Sequence, residues 1–272
     1  MSRFRTIFRV DKPLIAMCHL RALPGRPRHD VAAGTEAIVD ALSADVAALQ
    51  EAGVDGLLFC NENDIPYQLS VGPEVTAAMA AVIGRLRSQI RKPFGVDILW
   101  DPKAALAVAR ATGAAFVREV FTGVFESDLG MIAPQTGELA GYRQAIGAQD
   151  VAWFTNITPE FSRSVAGRSV AERARGAAFL GFDAILISGP AAGASIEMAD
   201  LTAARKAVPD LPLLANTGVN QENVQEILAH CDGVIVGTSL KVDGNTWNPV
   251  DPGRARQMVE MVHRQRAHTS VH

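Results

Sequence analysis

Residues 213–239 read LLANTGVNQENVQEILAHCDGVIVGTS. Two short, mostly apolar runs, 213–216 and 233–236, flank a stretch with room for one helix. Neither run alternates polar with apolar residues, the pattern of parallel strands covered on both faces. Each run ends in small polar residues, Asn216-Thr217-Gly218 in the first and Gly237-Thr238-Ser239 in the second. Going outward along the chain, similar runs occur at 14–18, 56–60, 94–99, 115–120, 151–156 and 184–188. With the first two, that makes eight strands.

Helical periodicity fills the intervals. Ile38, Leu42, Val46 and Leu49 make one apolar stripe, and Ala255, Met258, Val259 and Val262 make another. Proline stands at the first helical position in Gly72-Pro73-Glu74, Asp101-Pro102 and Asp251-Pro252, where its missing N–H costs nothing, and the two aspartates read as N-caps. No Ser/Gly-rich linker or composition break divides the 272 residues, so residues 1–272 read as one domain with its core at about 12–265. Eight β-α units in that length predict an α/β fold of the (β/α)₈ TIM-barrel type. A doubly wound open sheet is the competing arrangement.

Composition limits the partners. Hydrophobic residues make up 48% and charged residues 20%, with a net charge of -3 and no basic stripe, which argues against nucleic acid. No apolar run reaches the roughly 18 residues of a membrane helix, and Met1-Ser2-Arg3-Phe4-Arg5 lacks the apolar core of a signal peptide. Three cysteines, Cys18, Cys60 and Cys231, cannot all pair and fit no zinc spacing. A reduced, cytoplasmic protein is expected, and a homo-oligomer is left open.

In a barrel of this kind the reacting groups lie at the C-terminal ends of the strands. That rule yields His19 after strand 1, Asn61-Glu62-Asn63-Asp64 after strand 2, and Asp97 with Trp100 and Asp101 at strand 3. Arg118 and Glu119 end strand 4, Thr155 and Asn156 end strand 5, and Ser188-Gly189 end strand 6. The glycines after strands 7 and 8 let an anion approach backbone N–H groups, so Gly218, Gly237, Thr238 and Ser239, together with Gly189, are the expected phosphate site. The plainer reading is that these glycines only turn the chain. His19 can serve as acid or base near neutrality, or as a hydrogen-bonded closure of the mouth. Asp97 is costly inside an apolar strand unless paired, and Arg118 on the next strand is the obvious partner. Whether Glu119 points into the barrel is not decided by alternation alone. Asp128 falls in a long loop after strand 4 that reads either as a lid or as solvated surface.

Several chemistries are disfavoured. There is no P-loop and no G-x-G-x-x-G after a strand, so no nucleotide cofactor is expected. Among the lysines only Lys241 falls near the mouth, which speaks against a Schiff base. Of the six histidines only His19 ends a strand, so a multi-histidine zinc centre is not expected, whereas weak Mg²⁺ binding by Asp97, Asp101 or Asp64 stays open. Cys18 and Cys60 read as packing residues on neighbouring strands.

The stretch Met17-Cys18-His19-Leu20 through Leu23-Pro24-Gly25 resembles the G-M-V-H-L-x-x-L-P-G opening of the BtpA family. Asp64-Ile65-Pro66-Tyr67, Pro73-Glu74-Val75-Thr76, Ser127-Asp128-Leu129-Gly130, Ser188-Gly189-Pro190 and Gly218-Val219 with Glu222-Asn223 carry the resemblance further. Its most specific part is 232–241, DGVIVGTSLK, with Asp243-Gly244 and Pro249-Val250-Asp251. The matches run from about residue 10 to 265. The resemblance implies a relative of the ribulose-phosphate-binding barrels. One branch takes its name from a photosystem I factor, and an SgcQ-like branch is found among carbohydrate-uptake and catabolism genes. Cys60, Asp97 and Trp100 depart from the glutamate, asparagine and arginine common at those places in the family. The expectation is an enzyme for a small phosphorylated sugar or related metabolite, using acid/base chemistry of the isomerase, lyase or hydrolase kind. In it His19 and Asp97 move protons, Glu119, Asn61, Asp64, Arg118, Asn156 and Asn216 orient the substrate, and Asp128 closes over it. The alternative is a non-catalytic assembly or regulatory factor.

Overall fold

The computed structural model describes residues 2–191 and 193–269. In chain order its strands are β1 (Leu14–His19), β2 (Gly56–Cys60), β3 (Phe94–Asp97), β4 (Phe116–Glu119), β5 (Phe125–Ser127), β6 (Gly130–Ile132), β7 (Ala152–Asn156), β8 (Ser162–Ser164), β9 (Ala184–Ser188), β10 (Leu213–Asn216) and β11 (Gly233–Val236). Eight of them close a barrel in the order β1-β11-β10-β9-β7-β4-β3-β2, every pair parallel. The TIM barrel read from the eight apolar runs is therefore the fold. Helices α1 (Arg3–Phe8), α2 (Gly34–Ala52), α3 (Pro73–Leu86), α4 (Pro102–Thr112), α5 (Thr136–Ala145), α6 (Val170–Phe179), α7 (Met198–Ala207), α8 (Val224–His230) and α9 (Pro252–Thr269) complete it.

The apolar stripes do what their spacing requires. Ile38, Leu42, Val46 and Leu49 of α2, and Ala255, Met258, Val259 and Val262 of α9, are buried in the layer between sheet and helices. Asp101 caps α4 by accepting hydrogen bonds from the N–H groups of Lys103 and Ala104, both at 3.0 Å. Asp251 does the same for Gly253 at 2.7 Å and Arg254 at 3.1 Å. No helix among the described residues is long and apolar enough to cross a membrane.

Inside the barrel, side chains alternate with period two. Ile15, Leu58, Phe116, Phe154, Leu186, Leu214 and Ile235 form one inward layer, packed against Phe4 and Phe8 of α1. The Phe116 and Phe154 rings stack at 4.8 Å, with Phe8 at 5.6 Å from Phe116. Gly95 is required there, because a Cβ on it would lie 2.2 Å from the Phe116 ring. Helix α1, outside the core expected at about 12–265, thus plugs the N-terminal end. Two residues further along the same strands, the same face carries Met17, Cys60, Asp97, Arg118, Asn156, Ser188, Asn216 and Gly237. Alternation alone turns an apolar layer into a polar one.

Two expectations are corrected. The run 94–99 leaves the ladder after Asp97, because Asn61 Oδ1 accepts the Leu99 N–H at 2.8 Å and Gln68 takes the Trp100 N–H at 2.9 Å. The long loop after β4 is the hairpin β5-β6, and β8 from the loop after β7 adds to it in an antiparallel sheet of order β6-β5-β8.

Candidate active site

A cavity of about 290 Å³ opens at the C-terminal ends of the strands. His19, Asp97, Arg118, Asn216, Gly218, Gly237, Thr238 and Ser239 all line it, as do Glu62, Glu160 and Arg254. At its base Arg118 is 4% exposed and forks between two carboxylates. Nη1 donates to Asp97 Oδ2 at 3.0 Å and Nη2 to Glu160 Oε1 at 3.0 Å. Glu160 is the hub of this network. Asn156 Nδ2 donates to Glu160 Oε2 at 3.2 Å, Asn216 Nδ2 to Oε1 at 3.1 Å, and the Thr217 hydroxyl also donates to it. Asn156 further donates to Ser188 Oγ at 2.8 Å.

Behind Asp97 lies Glu119, fully buried and outside the cavity lining. Its Oε2 accepts the Val120 N–H at 2.7 Å. Burial pushes the Glu119 carboxyl far above its ordinary range, and the charge of Asp97 adds to the effect. Asp97 is raised too, chiefly by burial, against the pull of Arg118. Asp97 Oδ1 and Glu119 Oε1 are both buried without a hydrogen-bond partner among the described residues. Asp97 has the Arg118 pairing read from the sequence.

At the rim, His19 Nε2 lies 3.9 Å from Glu62 Oε2. Burial and the nearby charge of Lys241 push the imidazole down to about 3, so His19 is neutral at pH 7 rather than poised there. Its Nδ1 is buried without a hydrogen-bond partner among the described residues. Glu62 moves the other way: burial, then the charge of Asp97, lifts its carboxyl to about 7. Tyr67 donates its hydroxyl to the Glu62 carbonyl at 3.0 Å. A group that changes charge near neutrality at the edge of a cavity is suited to proton transfer.

Of the residues expected to hold phosphate, Gly218, Gly237, Thr238 and Ser239 line the cavity, and the 3₁₀ turn Thr238–Leu240 starts there. Gly218 has φ +74, and a Cβ on it would lie 1.9 Å from the Ala194 carbonyl oxygen. Ser239 Oγ donates to the Val219 carbonyl at 3.0 Å and so ties the two loops together. Arg254 Nε donates to the Ser239 carbonyl at 2.8 Å, and its terminal nitrogens have no acceptor among the described residues. Gly189 lies apart from the lining, covered by Ala194, whose carbonyl would be 2.1 Å from a Cβ there.

Other expected site residues sit elsewhere. Asn61 Nδ2 donates to Asp64 Oδ2 at 3.0 Å, and Asp64 Oδ1 accepts the Leu23 N–H at 2.8 Å, so both brace loops outside the cavity lining. Asn156 reaches the site only through Glu160. Asp128 is exposed at the turn between β5 and β6, because residues 127–130 reverse the chain there and leave its side chain in solvent. Of the three carboxylates suggested for Mg²⁺, Asp97 alone lines the cavity, while Asp101 holds the α4 start and the Val71 N–H at 2.9 Å. Lys241 is buried in an ion pair with Asp45 of α2 at 2.8 Å and does not line the mouth. Sequence reasoning missed Glu160 and Arg254 as site residues, and gave Glu62 no role although the strand-end rule reached it. Glu62 had a signal, since it stands beside Asn61 at the end of β2, and Arg254 follows the Asp251-Pro252 helix start.

Comparison with known proteins supports the resemblance. The model of the BtpA family matches residues 10–264. The sgc region protein SgcQ of Escherichia coli (strain K12) is 44% identical over 97% of this chain and 98% of its own length. The photosystem I biogenesis protein BtpA of Synechocystis is 31% identical over 96% of this chain and 91% of its own. Among solved structures, tryptophan synthase from M. tuberculosis aligns with a TM-score of 0.59 at 17% identity, covering 97% of this chain and 99% of that one. The N-acetylmannosamine-6-phosphate 2-epimerase of Clostridium perfringens aligns with a TM-score of 0.54 at 14% identity, covering 94% and 93%. At such identities the likeness is one of fold.

Proposed function

The chain belongs to the BtpA family, and from that premise we propose that it is an enzyme acting on a phosphorylated sugar or related metabolite by general acid/base chemistry. One observation carries this: a single cavity is lined by both glycine loops and by the proton-bearing groups His19 and Glu62. Backbone N–H groups around Gly218, Gly237, Thr238 and Ser239 hold the phosphate, with Arg254 supplying charge. Glu62 exchanges the proton, and neutral His19 donates a hydrogen bond to charge developing on the substrate oxygen. Arg118 and Asn216 orient the substrate. Asp97, Glu119 and Glu160 are positioning residues that hold Arg118 and Asn216 in place. No organic cofactor enters this scheme, and an Mg²⁺ ion shared with the phosphate is compatible with it.

A thermal-stability screen of sugar phosphates tests the proposal. A true ligand at 100 times its Kd adds about 2.7 kcal/mol of folding stability. Turnover of the best ligand is then expected to fall about 10²–10⁴-fold in Glu62→Gln. If no phosphorylated compound raises the melting temperature, the phosphate reading fails. The name of the Synechocystis relative favours a second reading, a non-catalytic assembly factor. In that case ligands stabilise the protein but none is turned over.

A further inference from the structure

The lining of the cavity combines acidic and basic groups. It includes three carboxylates, Glu62, Asp97 and Glu160, and two guanidinium groups, Arg118 and Arg254. Arg254 sits against the loop after β11, where its Nε reaches the Ser239 carbonyl, so its charge belongs to the phosphate end. Arg118 is the cation at the floor, and both of its terminal nitrogens are already committed to Asp97 and Glu160. A ligand carboxylate there would meet like charges in a site of low dielectric, with only Arg118 Nε left to receive it.

Besides His19 Nδ1, Arg118 Nε and Asp97 Oδ1, the lining residues hold two orphaned atoms, the neutral Asn216 Oδ1 and Trp100 Nε1. Asn216 is 3% exposed, and its Nδ2 is fixed toward Glu160, a carboxylate that can only accept. Its Oδ1 is therefore a buried acceptor with no donor among the described residues. Trp100 is 4% exposed, lines the same cavity, and has a buried Nε1–H with no acceptor. Separate hydroxyls of one polyol can donate to Asn216 Oδ1 and accept from Trp100 Nε1. A carboxylate can only accept, and would leave Asn216 Oδ1 unpaired.

We infer that the end of the substrate remote from its phosphate is an uncharged polyhydroxyl group, recognised by Asn216 and Trp100, and that phosphorylated sugar acids and bisphosphates are rejected by the Asp97 and Glu160 carboxylates of the floor with Glu62 at the rim. This rests on the phosphate placement proposed above.

The test uses wild-type protein at pH 8 and matched pairs that differ only at the terminal carbon. D-glucitol 6-phosphate is compared with 6-phospho-D-gluconate, ribitol 5-phosphate with ribonate 5-phosphate, and inorganic phosphate reads the loops alone. In at least one pair the polyol phosphate is expected to bind about tenfold or more tightly than both its acid and inorganic phosphate. The acids should bind no more tightly than inorganic phosphate. If an acid equals or exceeds its polyol in both pairs while inorganic phosphate binds, the inference is overturned and the phosphate placement survives. If neither inorganic phosphate nor any of the four compounds binds, the phosphate placement fails and the inference falls with it.

Discussion

The two ends of one barrel are built from the same strands and differ in a single respect. At the N-terminal end, Phe4, Phe8, Phe116 and Phe154 fill the interior with rings 4.8–6.4 Å apart. Two residues further along the strands, the interior holds Asp97, Arg118, Asn156 and Asn216 in a network closed on Glu160. Among the described residues, the buried side-chain polar atoms lacking a partner all belong to this C-terminal end except Arg173 Nε. Leaving such groups unpaired costs about 1–3 kcal/mol each. One end is closed by apolar packing, and the other leaves polar atoms unpaired, among them Asn216 Oδ1 and Trp100 Nε1 of residues that line the cavity.

Substitutions at the two ends should therefore both register in stability, with ligand affinity affected only by those at the mouth. Phe154→Ala removes a ring from the plug and should cost about 3–5 kcal/mol of stability, read by denaturant unfolding, with phosphate affinity of the folded protein unchanged. Asp97→Asn leaves Arg118 short of a charged partner at a fully buried position, so a loss of about 3 kcal/mol is expected in the same assay. A smaller loss there would mean that the mouth contributes little to folding.

The pH dependence of stability divides the two rim groups. Glu62 is raised from 4.5 to about 7 in the fold, so its contribution is full below pH 4.5 and is lost as pH rises through 7, by at most about 3 kcal/mol. Glu62→Gln should remove that loss and gain on wild type above pH 7. His19 is lowered from 6.5 to about 3, so its contribution is present above pH 6.5 and is lost as pH falls toward 3. His19→Asn should flatten this acid arm, and melting curves from pH 4 to 9 on the three proteins separate the two. The smallest effect belongs to Ser239→Ala, which gives up the bond to the Val219 carbonyl for about 1 kcal/mol of stability.

Much of this was legible in residue order. Runs of Val, Ile, Leu and Phe buried on both faces cannot be mistaken for surface strands, so all eight barrel strands were found and the ends of 56–60, 184–188, 213–216 and 233–236 agree with the structure. The strand-end rule then brought His19, Asp97, Arg118, Asn216 and Gly237 to one mouth. The three-residue strands β5, β6 and β8 escaped because they have no apolar run of strand length, and α1 because its six residues make fewer than two helical turns. Glu160 escaped for another reason. It lies in the loop beyond β7 and reaches the barrel axis only because Arg118, Asn156, Asn216 and Thr217 converge on it from three strands and a loop. Glu62 and Asn61 could not be ranked, since which of two neighbours faces the cavity depends on how the chain leaves β2.

Calorimetric titration of inorganic phosphate into wild type and Gly237→Val tests the phosphate mouth most directly. Gly237 has φ -121, outside the left-handed region, and a Cβ there would stand 3.2 Å from the His19 ring and from Met17 Cγ. A valine side chain should thus project into the cavity between the two glycine loops. Wild type is expected to bind phosphate, and a Gly237→Val protein with an unchanged ligand-free melting temperature to bind none. Equal binding by both folded proteins would put the anion elsewhere and contradict the site.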